Sequence, residues 1–123
     1  MTSEALNVLL KLWQRRLGLM DWTIKIELVS LLELPETYQN CFGLCDFCEY
    51  DLRAHIQLLD PKDYPHLVKS ELEPELEEVL IHELLHLVFP HISRELTGQE
   101  DGLRYYDFER GLNSLARSFK RYL

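Results

Sequence analysis

Residues 78–89 read EVLIHELLHLVF, and from Val79 onward the only polar side chains in this segment are those of His82, Glu83 and His86. So many apolar residues in succession predict a helix that is buried in the core of the domain. On a helix, residues four apart share one face, so the two imidazoles project side by side. Burying three polar groups without partners costs about 1–3 kcal/mol each, so we expect these side chains to bind a metal ion.

The spacing His-Glu-x-x-His is typical of a zinc site, because a neutral imidazole nitrogen binds zinc at about 2.0–2.1 Å. Glu83 points about 100° around the helix from His82, too far to join the ligands but close enough to act as general base toward an activated water. We therefore expect one zinc ion per chain, with His82 and His86 as ligands. The competing interpretation is a pair of core histidines bonded to backbone carbonyls.

Composition and charge limit the class of protein. A chain of 123 residues, 46% hydrophobic and 28% charged, predicts one globular domain over residues 1–123. The net charge of −8 disfavours nucleic acid and anionic membranes as partners. The sequence has no apolar run near the roughly 20 residues that span a bilayer, and no positively charged signal segment at its start. Three cysteines crowded between positions 41 and 48 suit a reducing compartment, so we expect a cytoplasmic protein.

Periodicity predicts the elements that surround the histidine segment. A period near 3.6 indicates helices, a period of two indicates strands, and Gly or Pro residues mark their ends. These rules predict a helix over 4–17 that Thr2 or Ser3 caps, strands over 22–28, 41–50 and 53–59, a helix over 74–89, a loop over 90–101 and a helix over 103–122. Residues 31–40 are predicted to be a connection or a frayed strand. The result is an α+β unit with a short sheet of three to four strands.

A catalytic zinc needs a third protein ligand from another part of the chain. A histidine six residues after His86 would complete one common pattern, but that position is Ile92, and His91 is one residue out of register. Carboxylates after the motif remain as candidates. Glu109 lies on the predicted inward face of the last helix, whereas Asp101 precedes that helix. We expect Glu109 to be the third ligand, with Asp101 as the alternative.

The histidine motif, followed by the segment ERGLNSLAR that begins at Glu109, resembles the gluzincin arrangement of metallopeptidases. The order of helix, strand, hairpin, active-site helix and glutamate helix is similar to the very small single-domain minigluzincins along most of the chain. The resemblance implies a zincin-like fold and zinc bound by His82, His86 and Glu109, with Glu83 as general base. It also implies hydrolysis of a peptide or protein substrate that lies along an edge of the sheet.

The resemblance also points to residues around these ligands. Gluzincins usually have an acid four residues after the ligand glutamate, and here that residue is Asn113, whose amide orients a ligand histidine more weakly. A donor to the substrate oxyanion is expected as well. The candidates near the site in sequence are Arg104, Tyr105, Tyr106 and His91. The competing function is a zinc-binding protein with weak or lost peptidase activity that serves as a regulatory or interaction module.

The spacing of Cys41, Cys45 and Cys48, with Phe47 before the last, also resembles the cluster motif of radical SAM enzymes. That family has a much longer partial barrel, and this sequence has no glycine-rich cofactor motif. The predicted strand places Cys45 and Cys48 on opposite faces, where thiolates do not converge. A structural zinc would need a fourth ligand, for which His55 is the near candidate. We expect the cysteines to be small hydrophobic residues of a strand.

Overall fold

The chain forms helices packed against a small sheet in a computed structural model that describes residues 1–38, 41–67, 74–96 and 102–123. The elements in these ranges are α1 (Ser3–Arg16), β1 (Thr23–Val29), β2 (Gly43–Cys48), β3 (Arg53–Leu59), α2 (Leu76–Val88), α3 (Pro90–Leu96) and α4 (Leu103–Tyr122). Short 3₁₀ turns occupy Leu31–Glu33, Glu36–Tyr38 and Pro61–His66. The predicted α+β class is therefore confirmed. None of the described helices has the length and apolarity that crossing a membrane requires.

The three strands form one sheet in the order β1–β3–β2. The central strand β3 pairs in parallel with β1 and antiparallel with β2. Ala54, Ile56 and Leu58 of β3 are buried, as their alternation in the sequence predicts. Among the described residues β2 has no neighbour on its other side, so its outer backbone groups are unpaired in the sheet. The number of strands agrees with the prediction of three to four.

The turn after α1 follows from the residues at its ends. The hydroxyl of Thr2 caps the start of the helix. At the other end Gly18 has a φ of 71°, and its N–H donates to the carbonyl of Arg15. The N–H of Leu19 donates to the carbonyl of Gln14 at 2.7 Å, which completes a Schellman motif. This ending directs the chain back into β1.

Helix α2 occupies the centre of the domain. It packs against α1, α3, α4 and the sheet, with Leu80, Ile81 and Leu84 fully buried. Helix α4 runs antiparallel to α2, as the pairing of Lys120 near the end of α4 with Glu75 just before α2 shows. The apolar segment that the sequence shows is thus surrounded by protein, and its polar residues face a cleft between α2, α4 and β2.

Two boundary predictions are wrong. Helix α2 begins at Leu76 after Glu75 rather than at Pro74, so the proline lies before the helix instead of in its first turn. The predicted loop over 90–101 contains α3, because Pro90 suits the first position of a helix and the N–H of Ser93 donates to the carbonyl of Phe89 at 3.1 Å. The remaining boundaries agree within a few residues.

Candidate metal centre

Helices α2 and α4 bring the three predicted ligands together. The Nε2 atom of His82 lies 2.7 Å from Oε2 of Glu109, and the Nε2 atom of His86 lies 3.3 Å from Oε1 of the same carboxylate. The two imidazoles meet edge to face, with centroids 5.2 Å apart. One carboxylate therefore contacts both histidines. Asp101, the alternative ligand from the sequence, lies outside the described residues.

The position of Glu109 follows from the packing of α4. Leu112 and Ala116 are buried, and Glu109 precedes them by three and seven residues on the same face. The opposite face, which includes Asp107, is exposed. Because the apolar stripe of α4 packs against α2, the carboxylate of Glu109 lies against the two histidines. The helical phase in the sequence predicts this arrangement.

The charges at the centre favour a cation. Burial by itself raises the pKa of Glu109, but hydrogen bonds from His82 and His86 outweigh burial and lower that pKa to about 2. Burial lowers the pKa of His82, yet the bond to Glu109 and the charge of Glu83 raise it overall. Negative charge thus collects around the two ring nitrogens. A divalent cation among these groups would be stabilised by the same charges.

Glu83 lies beside the centre and packs against the edge strand. Glu83 is only 5% exposed, and this burial raises the pKa of its carboxyl group. A Cβ added to Gly43 of β2 would lie 3.2 Å from both Cγ and Oε2 of Glu83. Glycine at position 43 therefore allows β2 to approach the carboxylate closely. The ligand atoms of Glu83, His82 and His86 all lie within 4.8 Å of one another.

Ser93 of α3 contacts both the Nδ1 atom and the backbone carbonyl of His86. Its Oγ lies 3.0 Å from Nδ1 of His86 and donates to the backbone carbonyl of His86 at 3.2 Å. The ring of Phe108 packs edge to face against the same imidazole, with centroids 5.8 Å apart. Sequence reasoning missed Ser93. The feature of the sequence that could have pointed to such a donor is Pro90. It follows His86 by four residues and has no N–H to donate to the His86 carbonyl.

The second ring nitrogen of His82 is less well hydrogen-bonded than that of His86. Its Nδ1 is buried and makes no hydrogen bond of good geometry in the described part of the chain, although the side chain of Asn113 interacts with this histidine. Asn113 lines the same cleft, and its side chain contributes to raising the pKa of His82. The sequence predicted that Asn113 would stand beside a ligand histidine. The structure places it there without a carboxylate to polarise the ring.

The four candidates for an oxyanion donor do not all lie at the site. Tyr105 lines the cleft, whereas Tyr106 follows it by about 100° around α4 and is 60% exposed. The side chain of His91 is 92% exposed and faces Glu49 at the far end of β2. Arg104 pairs with a glutamate on the surface. Of these residues only Tyr105 lines the cleft, whereas Tyr106, His91 and Arg104 lie outside it, and the role of an oxyanion donor stays a prediction.

The cleft has a volume of about 400 Å³ and includes two of the three cysteines. Cys41 and Cys45 line it, while Cys48 is exposed on the other face of β2. Burial, followed by the charge of Glu83, raises the pKa of both cleft thiols. In the described ranges no cysteine joins a cluster of potential metal ligands. The thiols of Cys41 and Cys45 are thus neutral groups in a partly apolar wall.

Two neutral imidazoles and one carboxylate form a donor set that suits zinc and other borderline divalent metals. These residues converge, carry the right charge and have a buried carboxylate beside them, so they fit such an ion. Comparisons with models of known protein families, with curated proteins and with solved structures gave no match. The chemistry of this donor set is the basis for assigning a function.

Proposed function

We propose that this protein is a zinc-dependent metallopeptidase with a zincin-like fold, whose metal ligands are His82, His86 and Glu109. The observation that carries the proposal is the single carboxylate of Glu109 at 2.7 and 3.3 Å from the two Nε2 atoms, with Glu83 buried beside them. Two histidines and a glutamate are a ligand set of zinc peptidases, in which one position stays open for water.

Glu83 is the general base of the proposed reaction. When bound, zinc would polarise the scissile carbonyl and lower the pKa of a water toward about 7. The Glu83 carboxylate would accept a proton from the attacking water and deliver it to the nitrogen of the departing amine. Its raised pKa suits both tasks, because a general base works best with a pKa near the operating pH.

An extended peptide fits the open edge of β2. The unpaired backbone groups of an edge strand can bind a further strand through main-chain hydrogen bonds. Strand β2 borders the cleft, and its residue Gly43 is packed against Glu83. A peptide that pairs with β2 would therefore bring its backbone carbonyls close to the general base. This supports a peptide or protein as the substrate.

The proposal is tested by incubating the zinc-loaded protein with a library of mixed peptides and identifying products by mass spectrometry. We expect cleavage that stops when a chelator removes the metal and returns when zinc is added. Product termini would also define the residues that the cleft prefers. If zinc-loaded protein leaves every peptide intact across pH 5 to 9, the peptidase proposal fails.

A second function has an observation of its own in its favour. The buried Nδ1 of His82 makes no hydrogen bond of good geometry in the described part of the chain, and Asn113 stands where gluzincins usually have an acid. Loss of such a partner typically weakens activity 10- to 100-fold. The second candidate is thus a zinc-binding module with weak or lost peptidase activity. Tight zinc binding without cleavage of any peptide would favour it.

Replacing Gly43 with Ala is expected to lower kcat by up to about 10-fold, because a misplacement of about 1 Å costs about 100-fold and the new contact requires a shift of only a few tenths of an ångström. The new Cβ would lie 3.2 Å from Glu83 and from Cγ1 of Val79, so one or both of these side chains must shift by a few tenths of an ångström. Zinc content should stay at the wild-type level. Steady-state kinetics on a peptide found in the library and metal analysis measure both quantities.

Gly111→Ala is the matched control for this change. Gly111 is an exposed residue of α4, and a Cβ added there would meet no atom within 4 Å. We expect wild-type kcat and slightly higher stability, since alanine favours a helix by about 1 kcal/mol relative to glycine. A Gly43→Ala variant as active as Gly111→Ala would contradict the proposed position of the general base.

A further inference from the structure

Strand β1 forms the second edge of the sheet, on the side opposite to β2. It pairs with β3 along its whole length without a bulge, and none of its residues is a proline. Among the described residues no strand lies on the other side of β1. Proteins usually protect such an edge with a bulge, a proline or charged side chains, because an open edge can bind a further strand. Only charged side chains are present here, so their arrangement decides what the edge can bind.

The hydrogen bonds to β3 show which backbone groups of β1 point outward. The N–H of Thr23 donates to the carbonyl of Leu52 at 2.9 Å, and the carbonyl of Val29 accepts from the N–H of Asp60 at 2.8 Å. In a parallel pair alternate residues direct both their N–H and their C=O to the neighbouring strand. The odd-numbered residues of β1 therefore bond to β3. The even-numbered residues, whose backbone groups point away from the sheet, are Ile24, Ile26 and Leu28.

This outward-facing backbone is complementary to a second copy of itself. Two β1 strands can pair antiparallel about a two-fold axis at Ile26, so that Ile26 faces its counterpart in the other copy. Ile24 then lies opposite Leu28 of the other copy. These pairs are the hydrogen-bonded positions of an antiparallel ladder, because their N–H and C=O groups already point outward. Each pair would exchange two main-chain hydrogen bonds.

The charges of β1 match in the same register. Lys25 and Glu27 lie on the outer face of the sheet, and each would lie opposite the other in the second copy. Such non-hydrogen-bonded pairs have Cα atoms about 4.5 Å apart, which suits an ion pair. The Oε1 atom of Glu27 contacts His55 and Gln57 of β3, whereas its Oε2 has no bond to a described residue. Lys25 is exposed and has no ion pair with a described residue either.

Other symmetric registers lose this match. A pair centred on Lys25 or on Glu27 places like charges opposite each other, which is unfavourable. A pair centred on Ile24 or Leu28 separates Lys25 from Glu27 and shortens the ladder. The register about Ile26 pairs the whole strand from Thr23 to Val29. Hydrogen bonding and charge therefore favour the same arrangement.

The apolar side chains of the edge also fit this register. Ile24 and Leu28 are only partly buried, and both pack against the core. Residues that lie opposite each other in a ladder share one face of the sheet, so Ile24 would contact Leu28 of the other copy. Pairing would thus cover apolar surface that a single chain leaves exposed to water.

We propose that the protein forms a two-fold symmetric dimer through β1, with one sheet that continues across both copies. Strand β2 then lies at the two outer edges of this sheet, and the cleft with the metal centre lies on the side away from the interface. The inference is independent of the proposed function, because the interface contains neither the metal ligands nor the general base.

Analytical ultracentrifugation of the wild-type protein tests the proposal directly. Between about 10 μM and about 1 mM we expect a reversible change from one to two chain masses, because the dimer fraction depends on concentration. Hydrogen exchange on the same samples should show that the amides of Ile24, Ile26 and Leu28 become slower as the dimer forms. A protein that stays monomeric over this range would overturn the proposal.

Charge reversal tests whether β1 is the interface. Lys25→Glu places two acidic residues opposite each other, and Glu27→Lys places two lysines opposite each other. Each variant alone should dimerise about 10-fold more weakly or worse, since two attractive pairs become repulsive. An equimolar mixture of the two variants restores opposite charges in both pairs and should dimerise nearly as well as the wild-type protein.

Arg110→Glu is the control, because it makes the same charge change as Lys25→Glu at an exposed residue of α4. We expect it to dimerise like the wild-type protein, and circular dichroism checks that each variant is folded. Folded charge variants that dimerise normally, or a mixture that stays monomeric, would overturn the proposal. No readout uses zinc or a peptide. A dimer that cleaves nothing would therefore refute the peptidase proposal alone, and an active monomer would refute this inference alone.

Discussion

The Glu83→Gln variant is expected to bind zinc as tightly as the wild-type protein and to hydrolyse peptides about 10²- to 10⁴-fold more slowly. Glutamine has nearly the same shape as glutamate, but its amide cannot accept and return a proton. Glu83 is buried, and its raised pKa reflects the cost of keeping a charge there, so the neutral amide should not destabilise the fold. Steady-state kinetics and zinc content on the same preparation measure the two effects.

Glu77→Gln is the matched control, because it makes the same substitution on the same helix at a residue that does not line the cleft. We expect its kcat to stay within about twofold of the wild-type value, as for most surface changes. A Glu83→Gln variant that retains the activity of Glu77→Gln would contradict the role of Glu83 as general base. Loss of zinc from Glu83→Gln would instead indicate that this carboxylate is a ligand.

Glu109→Ala is expected to weaken zinc binding more than about 100-fold, beyond the 10- to 100-fold effect of losing a partner outside the ligand set. The change removes the carboxylate that contacts both imidazoles and leaves two neutral donors. A chelator competition titration measures the affinity. Peptide hydrolysis should be lost at ordinary zinc concentrations.

The control for Glu109→Ala is Asp107→Ala, which removes a carboxylate from the exposed face of the same helix. Its zinc affinity should equal that of the wild-type protein. Equal affinities of Glu109→Ala and Asp107→Ala would exclude Glu109 as the third ligand. The sequence then leaves Asp101, which could be tested by the same titration after Asp101→Ala.

Local periodicity predicts most of the elements, because helix and strand patterns depend on neighbouring residues alone. The alternation of Ala54, Ile56 and Leu58 predicts β3, and the cap at Thr2 and stop at Gly18 predict the limits of α1. The phase of α4 predicts that Glu109 lies on the same face as Leu112, where the structure places it against the histidines.

The order of the strands could not be predicted in this way. Pairing of β1 with β3 joins residues about 30 positions apart, and periodicity specifies the face of each strand but not its neighbour. The contacts within the site could not be predicted from periodicity either. The choice of Tyr105 over Tyr106, and the contact between Ser93 and His86, depend on how α4 and α3 pack against α2. Helix α3 was missed because proline at position 90 indicates the end of one helix and also permits the start of another.

The most direct measurement is elemental analysis of the purified protein, with zinc and iron counted per chain. The proposed centre of His82, His86 and Glu109 predicts about one zinc and no iron. Several irons per chain would instead make Cys41, Cys45 and Cys48 the metal ligands. No bound metal, even after zinc is added and excess is removed, would contradict the metal centre and the function built on it.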